Sequence, residues 1–182
     1  MATLEKSQLM SATEIDRTLQ RLAHEIVERR GGTANLALIG VRRRGVPLAQ
    51  RIAHAMRAID GAEVPVGTLD ITLYRDDLSQ VAPQPVLQSS EIPFNVDDKD
   101  LILVDDVLYT GRTIRAAMNG LFDLGRPRRV QLCVLIDRGH RELPIEAAFI
   151  GRKVQTSNTE IIEVRLTEVD REERVVLVEK IS

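Results

Sequence analysis

Two adjacent carboxylates, Asp105 and Asp106, follow the apolar run Leu101-Ile102-Leu103-Val104, and after Val107, Leu108 and Tyr109 comes the turn Thr110-Gly111-Arg112-Thr113. The apolar run has the length of a buried parallel strand. The turn suits the start of a helix, where backbone N–H groups and hydroxyls can wrap an anion. Carboxylates repel phosphate, so the acidic pair is suited to accept hydrogen bonds from vicinal hydroxyls while the turn holds the phosphate; a phosphorylated sugar presents both. Open α/β sheets bind ligands at the carboxyl ends of their strands, which is where this pair falls. Alone, two aspartates after a strand also read as a solvated loop. Strand, acidic pair, spacer, Thr-Gly-x-Thr and amphipathic helix without a gap form a more demanding pattern.

Two further loops carry charge at comparable positions. Gly40-Val41-Arg42-Arg43-Arg44-Gly45 places three arginines between glycines after a short apolar run, a basic turn that either is solvated or meets an anionic ligand. Asp137-Arg138-Gly139-His140-Arg141 follows the apolar run 130–136, and its first two residues also suit an ordinary strand-end ion pair.

The elements that must position these loops are legible in the periodicity. Ser11 and Glu14 have capping-box spacing, and Ile15, Leu19, Leu22, Ala23 and Ile26 then recur at helical intervals until Gly31-Gly32 stops them. Residues 36–39 form a short buried strand, and Pro47 stands in the first turn of a helix reaching about Ala58. A strand lies within 64–74. Residues 75–93 form a long polar loop in which Pro83, Pro85 and Pro93 disfavour helix; loops of this length serve as lids or binding elements, or are plain disorder. The helix after the acidic pair runs from Arg112 to Leu124 with Ile114, Ala117, Met118 and Leu121 inward, and Gly125 is expected to cap it. Residues 130–136 form the next central strand. Shorter strands near 147–150, 161–166 and 174–178 are expected to make an edge or a flanking hairpin.

At 182 residues the chain suits one domain with a single sheet-and-helix core. A net charge of −2 excludes a globally basic nucleic-acid binder, and 3% aromatic residues argue against base-stacking platforms, so any RNA contact must come from local arginine clusters. Arg42, Arg43 and Arg44 form one cluster, and Arg126, Arg128 and Arg129 another. The lone Cys133 sits in an apolar run and reads as a buried strand residue, which fits a reducing cytoplasm. No apolar run approaches a membrane span, and a membrane partner is not expected.

These segments, with Asp70-Ile71-Thr72-Leu73-Tyr74-Arg75-Asp76-Asp77-Leu78 and Arg21-Leu22-Ala23-His24-Glu25, resemble the type I phosphoribosyltransferases, and more narrowly the PyrR family of pyrimidine operon attenuation proteins with uracil phosphoribosyltransferase activity. The resemblance spans nearly the whole chain. It implies an α/β type I phosphoribosyltransferase fold, a mainly parallel central sheet flanked by helices, with a flexible loop and a small hood. It implies uracil and phosphoribosyl diphosphate (PRPP) as substrates, and UMP or UTP as bound nucleotides.

In that resemblance PRPP is held by Gly40, Val41, Arg42, Arg43 and Arg44 at the diphosphate, by Asp105 and Asp106 at the ribose diol, and by Val107, Leu108, Tyr109, Thr110, Gly111, Arg112 and Thr113 around the 5′-phosphate. Asp105, Asp106, Arg42 and Arg44 are the candidate catalytic residues. Mg2+ is the expected cofactor, bound largely through substrate and water with no certain protein ligand. Asp137, Arg138 and Gly139 are expected at the uracil, and Arg75 and Asp76 at the base of the closing loop. Tyr109 stands where purine enzymes of the hypoxanthine type commonly have a third aspartate, which favours a pyrimidine.

The resemblance also implies binding to a hairpin in the leader of pyrimidine operon messenger RNA, promoting transcription termination when a uridine nucleotide is present. Arg21, His24, Arg29, Arg43, His140 and Arg141 are the candidate RNA contacts. Gln20, Arg43, Glu146 and Gln155 depart from the pattern of RNA-binding members; Glu146 is the most adverse, because a carboxylate weakens binding to RNA phosphates. A dimer or larger homo-oligomer is expected, and a cytoplasmic location. A nucleotide-sensing RNA-binding protein with little turnover, or a transferase for another base, are the competing readings.

Overall fold

The computed structural model describes residues 2–72 and 90–181. Helix α1 (Ala12–Arg30) follows strand β1 (Thr3–Met10), and its Ser11 capping box is made in both directions, Glu14 N–H to Ser11 Oγ and Ser11 N–H to Glu14 Oε1, each 3.2 Å. It ends at Gly31, whose φ of +67° lets the chain reverse while the N–H groups of Gly31 and Gly32 bond back to Glu28 and Val27. The expected apolar stripe, Ile15, Leu19, Leu22, Ala23 and Ile26, is buried.

After α1 come β2 (Leu36–Val41), α2 (Gly45–Asp60), β3 (Val66–Leu69), β4 (Asp100–Leu108), α3 (Arg112–Phe122), β5 (Arg129–Asp137) and β6 (Phe149–Lys153). Strands β2 to β6 form a parallel five-stranded sheet in the order β3-β2-β4-β5-β6. Because both faces are covered, its central strands are continuously apolar and alternate between two cores. Leu38, Ile102, Cys133 and Leu135 pack beneath α1 and α2, while Ile39, Leu101, Leu103 and Val134 pack beneath α3.

The strand order sets the position of the site. From β2 the chain moves outward to β3 and then returns to β4 on the other side of β2, so the connections leaving β2 and β4 diverge and open a crevice at their carboxyl ends. The basic loop 42–44 leaves β2, and the acidic pair closes β4.

A second sheet covers one end of this crevice. Strands β7 (Glu160–Arg165) and β8 (Arg174–Lys180), separated by the short helix α4 (Thr167–Asp170), pair antiparallel, and β1 adds to β8, giving the order β1-β8-β7. Two arginines of the α2 region fasten this hood. Arg44 makes a two-pronged bond to Asp170, Nε to Oδ2 at 3.1 Å and Nη2 to Oδ1 at 2.6 Å. Arg51 bonds Glu168 (Nε to Oε2, 2.9 Å) and Glu173 (Nη2 to Oε1, 3.0 Å).

Several expectations are corrected. The N-terminal strand β1 has no counterpart in the sequence reading, because seven of its eight residues are not buried and it shows no inward alternation. The expected strand at 147–150 lies at Phe149–Lys153 and is an edge of the parallel sheet, whereas the other two short strands form the hood. Gly125 does not cap α3, which ends at Phe122 with Asp123 as its cap. Gly125 instead has φ +156°, and a Cβ there would lie 2.4 Å from Asp97 Oδ1. Of the expected loop 75–93, Arg75 and Asp76 and the rest up to residue 89 lie outside the described residues; Glu91 pairs with Thr68 as an isolated antiparallel bridge beside β3.

Candidate active site

A cleft of about 640 Å³ opens at the carboxyl end of the sheet and is lined by Arg42, Arg43 and Arg44 on one side and Asp105, Asp106 and Val107 on the other, with Thr113 at its margin. Thus the basic loop, tens of residues earlier in sequence, shares one cavity with the acidic pair and the start of α3. Asp70, Ile71 and Thr72 also line it. They were not among the predicted site residues, since nothing in the spacing places the end of β3 against the acidic pair. Asp70 Oδ1 accepts from both the N–H (2.9 Å) and the hydroxyl (2.6 Å) of Thr72, closing a local turn at the cleft wall.

Asp105 is 6% exposed and sits within the last residues of β4. Burial, and then the neighbouring Asp106 carboxylate, push its pKa well above the ordinary carboxylate range; the Asp106 N–H donated to its Oδ1 at 2.9 Å acts in the opposite sense. Asp106 is half-buried and accepts the Val107 N–H at 2.8 Å. Hydrogen-bond donors such as ribose hydroxyls would stabilise the two adjacent carboxylates in their ionised form. Among the described residues no three His, Cys, Asp or Glu side chains converge as a metal-binding set, although three aspartates share the cleft. That donor set fits a hard cation carried mainly by substrate oxygens and water better than a dedicated protein cage.

Beyond the pair, Thr110 and Gly111 lead into α3, eleven residues long, whose N-terminus has no side-chain cap. Beyond Arg112, its first-turn amides have no side-chain cap and are open to an anion. Thr110 Oγ1 accepts the Arg112 N–H at 3.2 Å, holding the turn. Gly111 is required there for two reasons: its φ is +94°, and a Cβ would crowd Ile145 at 3.3 Å. Arg112 is exposed and its Nε bonds Glu142 at 2.8 Å.

The basic loop is held against β4 by its glycines. A Cβ on Gly40 would lie 2.6 Å from Gly45 O and Val46 Cα, and one on Gly45 would lie 2.3 Å from Val104 O and 3.3 Å from Asp105 Cα. The loop therefore doubles back on itself and rests directly on the strand end that carries the acidic pair. Within it the Arg42–Arg43 peptide bond is cis. The three arginines differ in their surroundings: Arg42 and Arg43 are exposed at the cleft, whereas Arg44 is half-buried and bound to Asp170, which raises its pKa further and lowers that of Asp170. Asp170 was not anticipated; only its place in the acidic run after the hood strand could have suggested a partner for a basic loop. A second cavity of about 350 Å³ adjoins the first, shares Arg44 and Asp106 with it, and is walled by Ile162, Val164 and Arg165 of the hood.

The 137–139 segment lies at the carboxyl end of β5, beside the turn that leads into α3, with the Arg138 N–H bonded to Leu108 O at 3.1 Å. Its side chains are committed internally. Asp137 is buried and bound by Arg141, and its Oδ1 also accepts the Gly139 N–H. Arg138 is buried, lies 3.9 Å over the Tyr109 ring, and donates to Thr156 Oγ1 (3.1 Å) and Glu160 O (2.7 Å); burial lowers its pKa. A base arriving here would meet backbone groups and the Tyr109–Arg138 stack more readily than a free charged side chain.

The six candidate RNA residues do not form one equivalent set. On α1, Arg21 bonds Glu25, Arg29 bonds Ala148 O at 2.8 Å, and His24 is exposed. Arg43 lies in the cleft. His140 is exposed, packs edge-on against Tyr109 and bonds Thr156 O at 2.6 Å. Arg141 is largely buried. Gln20, Gln155 and Glu146 are all exposed.

A family model described as the phosphoribosyl transferase domain matches residues 6–179. Fold, cleft and domain match together define a type I phosphoribosyltransferase. The chain is 59% identical over 175 residues to the Bifunctional protein PyrR of Pelotomaculum thermopropionicum, and 57% identical over 175 residues to that of Thermus thermophilus; each alignment covers 96% of this chain and 97% of the relative. The chain belongs to the PyrR family. Its fold is similar to the hypoxanthine phosphoribosyltransferase of Trypanosoma cruzi (TM-score 0.74, 16% identity, 97% and 98% of the two chains) and to a hypoxanthine-guanine phosphoribosyltransferase of Bacillus anthracis (TM-score 0.70, 17% identity, 98% and 100%). Among the described residues no helix is long and apolar enough to cross a membrane.

Proposed function

We propose that this chain, acting as one domain, transfers the phosphoribosyl group of PRPP to uracil, releasing diphosphate and forming UMP. In a nucleotide-bound state it binds a hairpin in the leader of pyrimidine operon RNA and promotes attenuation. The observation that carries the transferase reading is the single cleft in which three arginines, two adjacent carboxylates and an uncapped helix N-terminus come together.

In this reading the start of α3, with Thr110, Gly111 and Thr113, holds the 5′-phosphate, and Asp105 and Asp106 hold the ribose diol. Arg42 and Arg43 neutralise charge that gathers on the departing diphosphate, while Arg44 contributes from its bond to Asp170. The anomeric C–N bond forms as the C–O bond to diphosphate breaks, through a transition state with oxocarbenium character, so position and charge suffice and no covalent nucleophile is needed. Mg2+, bound with the donor, supplies further neutralisation of the diphosphate. The 137–139 segment reads uracil through its backbone, and Tyr109, in place of a third carboxylate, suits a pyrimidine.

The RNA role draws on the family and on exposed His24 and His140, with Arg21, Arg29 and Arg43 extending the basic surface. A cytoplasmic location and a homodimer or larger assembly accompany this reading. The test is an assay of the purified chain with uracil, PRPP and Mg2+, run beside a leader-RNA gel shift with and without UMP. UMP formation with a UMP-dependent shift is the expected result. Turnover with a purine or orotate in preference to uracil would overturn the substrate assignment, and no turnover with a retained shift would favour a nucleotide sensor.

A further inference from the structure

Arg141 was expected on the RNA-binding surface, yet its guanidinium is engaged inside the protein, with a side chain only 16% exposed. Its Nη1 donates to Tyr109 O at 2.7 Å, its Nε to Ile145 O at 2.7 Å, and its Nη2 to both carboxylate oxygens of Asp137 at 3.0 and 2.8 Å. These acceptors belong to three pieces of chain: the turn before the phosphate cradle, the segment returning to β6, and the end of β5. Glu146 stands farther off, 3.6 Å from Nε.

Backbone bonds run parallel to this side chain. Thr110 O accepts the N–H groups of Glu142 (2.9 Å) and Leu143 (3.2 Å), and Leu108 O accepts that of Arg138 (3.1 Å). Gly111 packs against Leu143 and Ile145 at distances that leave no room for a Cβ without adjustment. The phosphate cradle and the base-recognising segment are thus joined along their length. The Arg112–Glu142 bond joins them at the exposed surface, whereas Arg141 bonds both from within, and Asp137, on which it closes, is itself buried.

We propose that Arg141 is a positioning residue that couples the 5′-phosphate cradle to the base-recognising segment, so that the two ends of a uridine nucleotide are bound as one rigid unit. The inference rests on the phosphoribosyltransferase reading given above. It also supplies a route by which an occupied phosphate site fixes the exposed His140 beside it. Removing the guanidinium leaves the Asp137 carboxylate and two carbonyls without this donor, and the cradle and base segment then shift relative to each other.

The test compares Arg141→Met and Arg141→Lys with wild type by calorimetric titration of UMP and, separately, of magnesium diphosphate, which engages the Gly40–Gly45 loop on the far side of the cleft. In Arg141→Met, UMP affinity is expected to fall by about tenfold or more, a change of ~1.4 kcal/mol, while diphosphate affinity stays unchanged. Arg141→Lys, able to keep one or two of the bonds, falls between. In turnover, KM for PRPP and uracil rises more than kcat falls.

Equal losses of UMP and diphosphate affinity, or UMP binding as in wild type, overturn the proposal. Should Arg141→Met fail to fold, the same comparison is decided by Arg141→Lys, checked by thermal unfolding. Absence of UMP binding by the wild-type protein would instead overturn the transferase reading and this inference with it.

Discussion

Gly45→Ala tests whether the basic loop must rest on the end of β4. The added Cβ would lie 2.3 Å from Val104 O, 3.2 Å from Val104 C and 3.3 Å from Asp105 Cα, all backbone atoms that cannot rotate away. Restoring an ordinary contact requires the loop and strand end to separate by about 1 Å. Overpacking of that kind costs about 1–3 kcal/mol of stability. The same displacement moves the arginines relative to the acidic pair, and a misplacement of about 1 Å lowers rate on the order of a hundredfold, or about 2.7 kcal/mol of transition-state stabilisation. The control is Gly61→Ala: Gly61 has φ +75° with nothing within 4 Å of its Cβ position, so it loses about 1 kcal/mol to backbone strain far from the cleft. Urea unfolding measures the two stabilities and steady-state kinetics with PRPP and uracil measures kcat/KM. Wild-type kcat/KM in Gly45→Ala, or a comparable loss in Gly61→Ala, would refute the reasoning.

The Asp105→Asn, Asp106→Asn double variant is expected to lose UMP formation while keeping its circular dichroism spectrum and cooperative unfolding, since asparagine preserves the acceptor oxygen that each backbone bond uses; retained turnover would remove the ribose assignment. The pKa shifts predict opposite pH dependences of stability for two single variants. Asp105 has a raised pKa, so its contribution favours the folded state below the ordinary carboxylate pKa of 3.8 and is lost as pH rises through the higher folded value; Asp105→Asn should therefore stabilise the ligand-free protein at neutral pH by about 1 kcal/mol, the scale of relieved active-site strain. Asp170 has a lowered pKa, so its contribution is present above 3.8 and lost as pH falls through the folded value. Asp170→Asn should cost up to about 1 kcal/mol at pH 7 and nothing in strong acid, as read from unfolding midpoints across pH. Glu146, 77% exposed, should oppose RNA, so Glu146→Gln is expected to tighten leader-RNA binding modestly at low salt without changing UMP formation, measured by filter binding against salt concentration.

The local code of this chain is legible because its signals are short-range. Ser11 with Glu14 and Gly31 mark the two ends of α1, and four apolar residues before two aspartates mark a central strand, as the buried β4 bears out; Asp105 and Asp106 at its end line the cleft. The pattern failed where burial is one-sided or absent. Strand β1 is mostly exposed and exists because β8 offers it an edge, and Phe149–Lys153 joins the parallel sheet because β5 lies beside it. Gly125 resembled a helix cap, but its conformation serves a close approach to Asp97.

Sequence alone determined which residue types were available for chemistry: an acidic pair, a Thr-Gly-x-Thr turn and a basic loop, each readable because its members are neighbours along the chain. It could not determine how those segments meet. The reversal of strand order between β2 and β4 brings the basic loop onto the acidic strand end, through glycines that permit backbone contact between positions 60 apart in sequence, Gly45 and Asp105. Nor could it distinguish Arg42 and Arg43, at the cleft, from Arg44, bound to Asp170, or Arg141 on a surface from Arg141 inside the knot between the end of β5 and the turn before α3. Arginines have the same charge wherever they occur; the carboxylates and carbonyls that fix their roles come from distant parts of the chain, and only tertiary structure brings them within hydrogen-bonding distance.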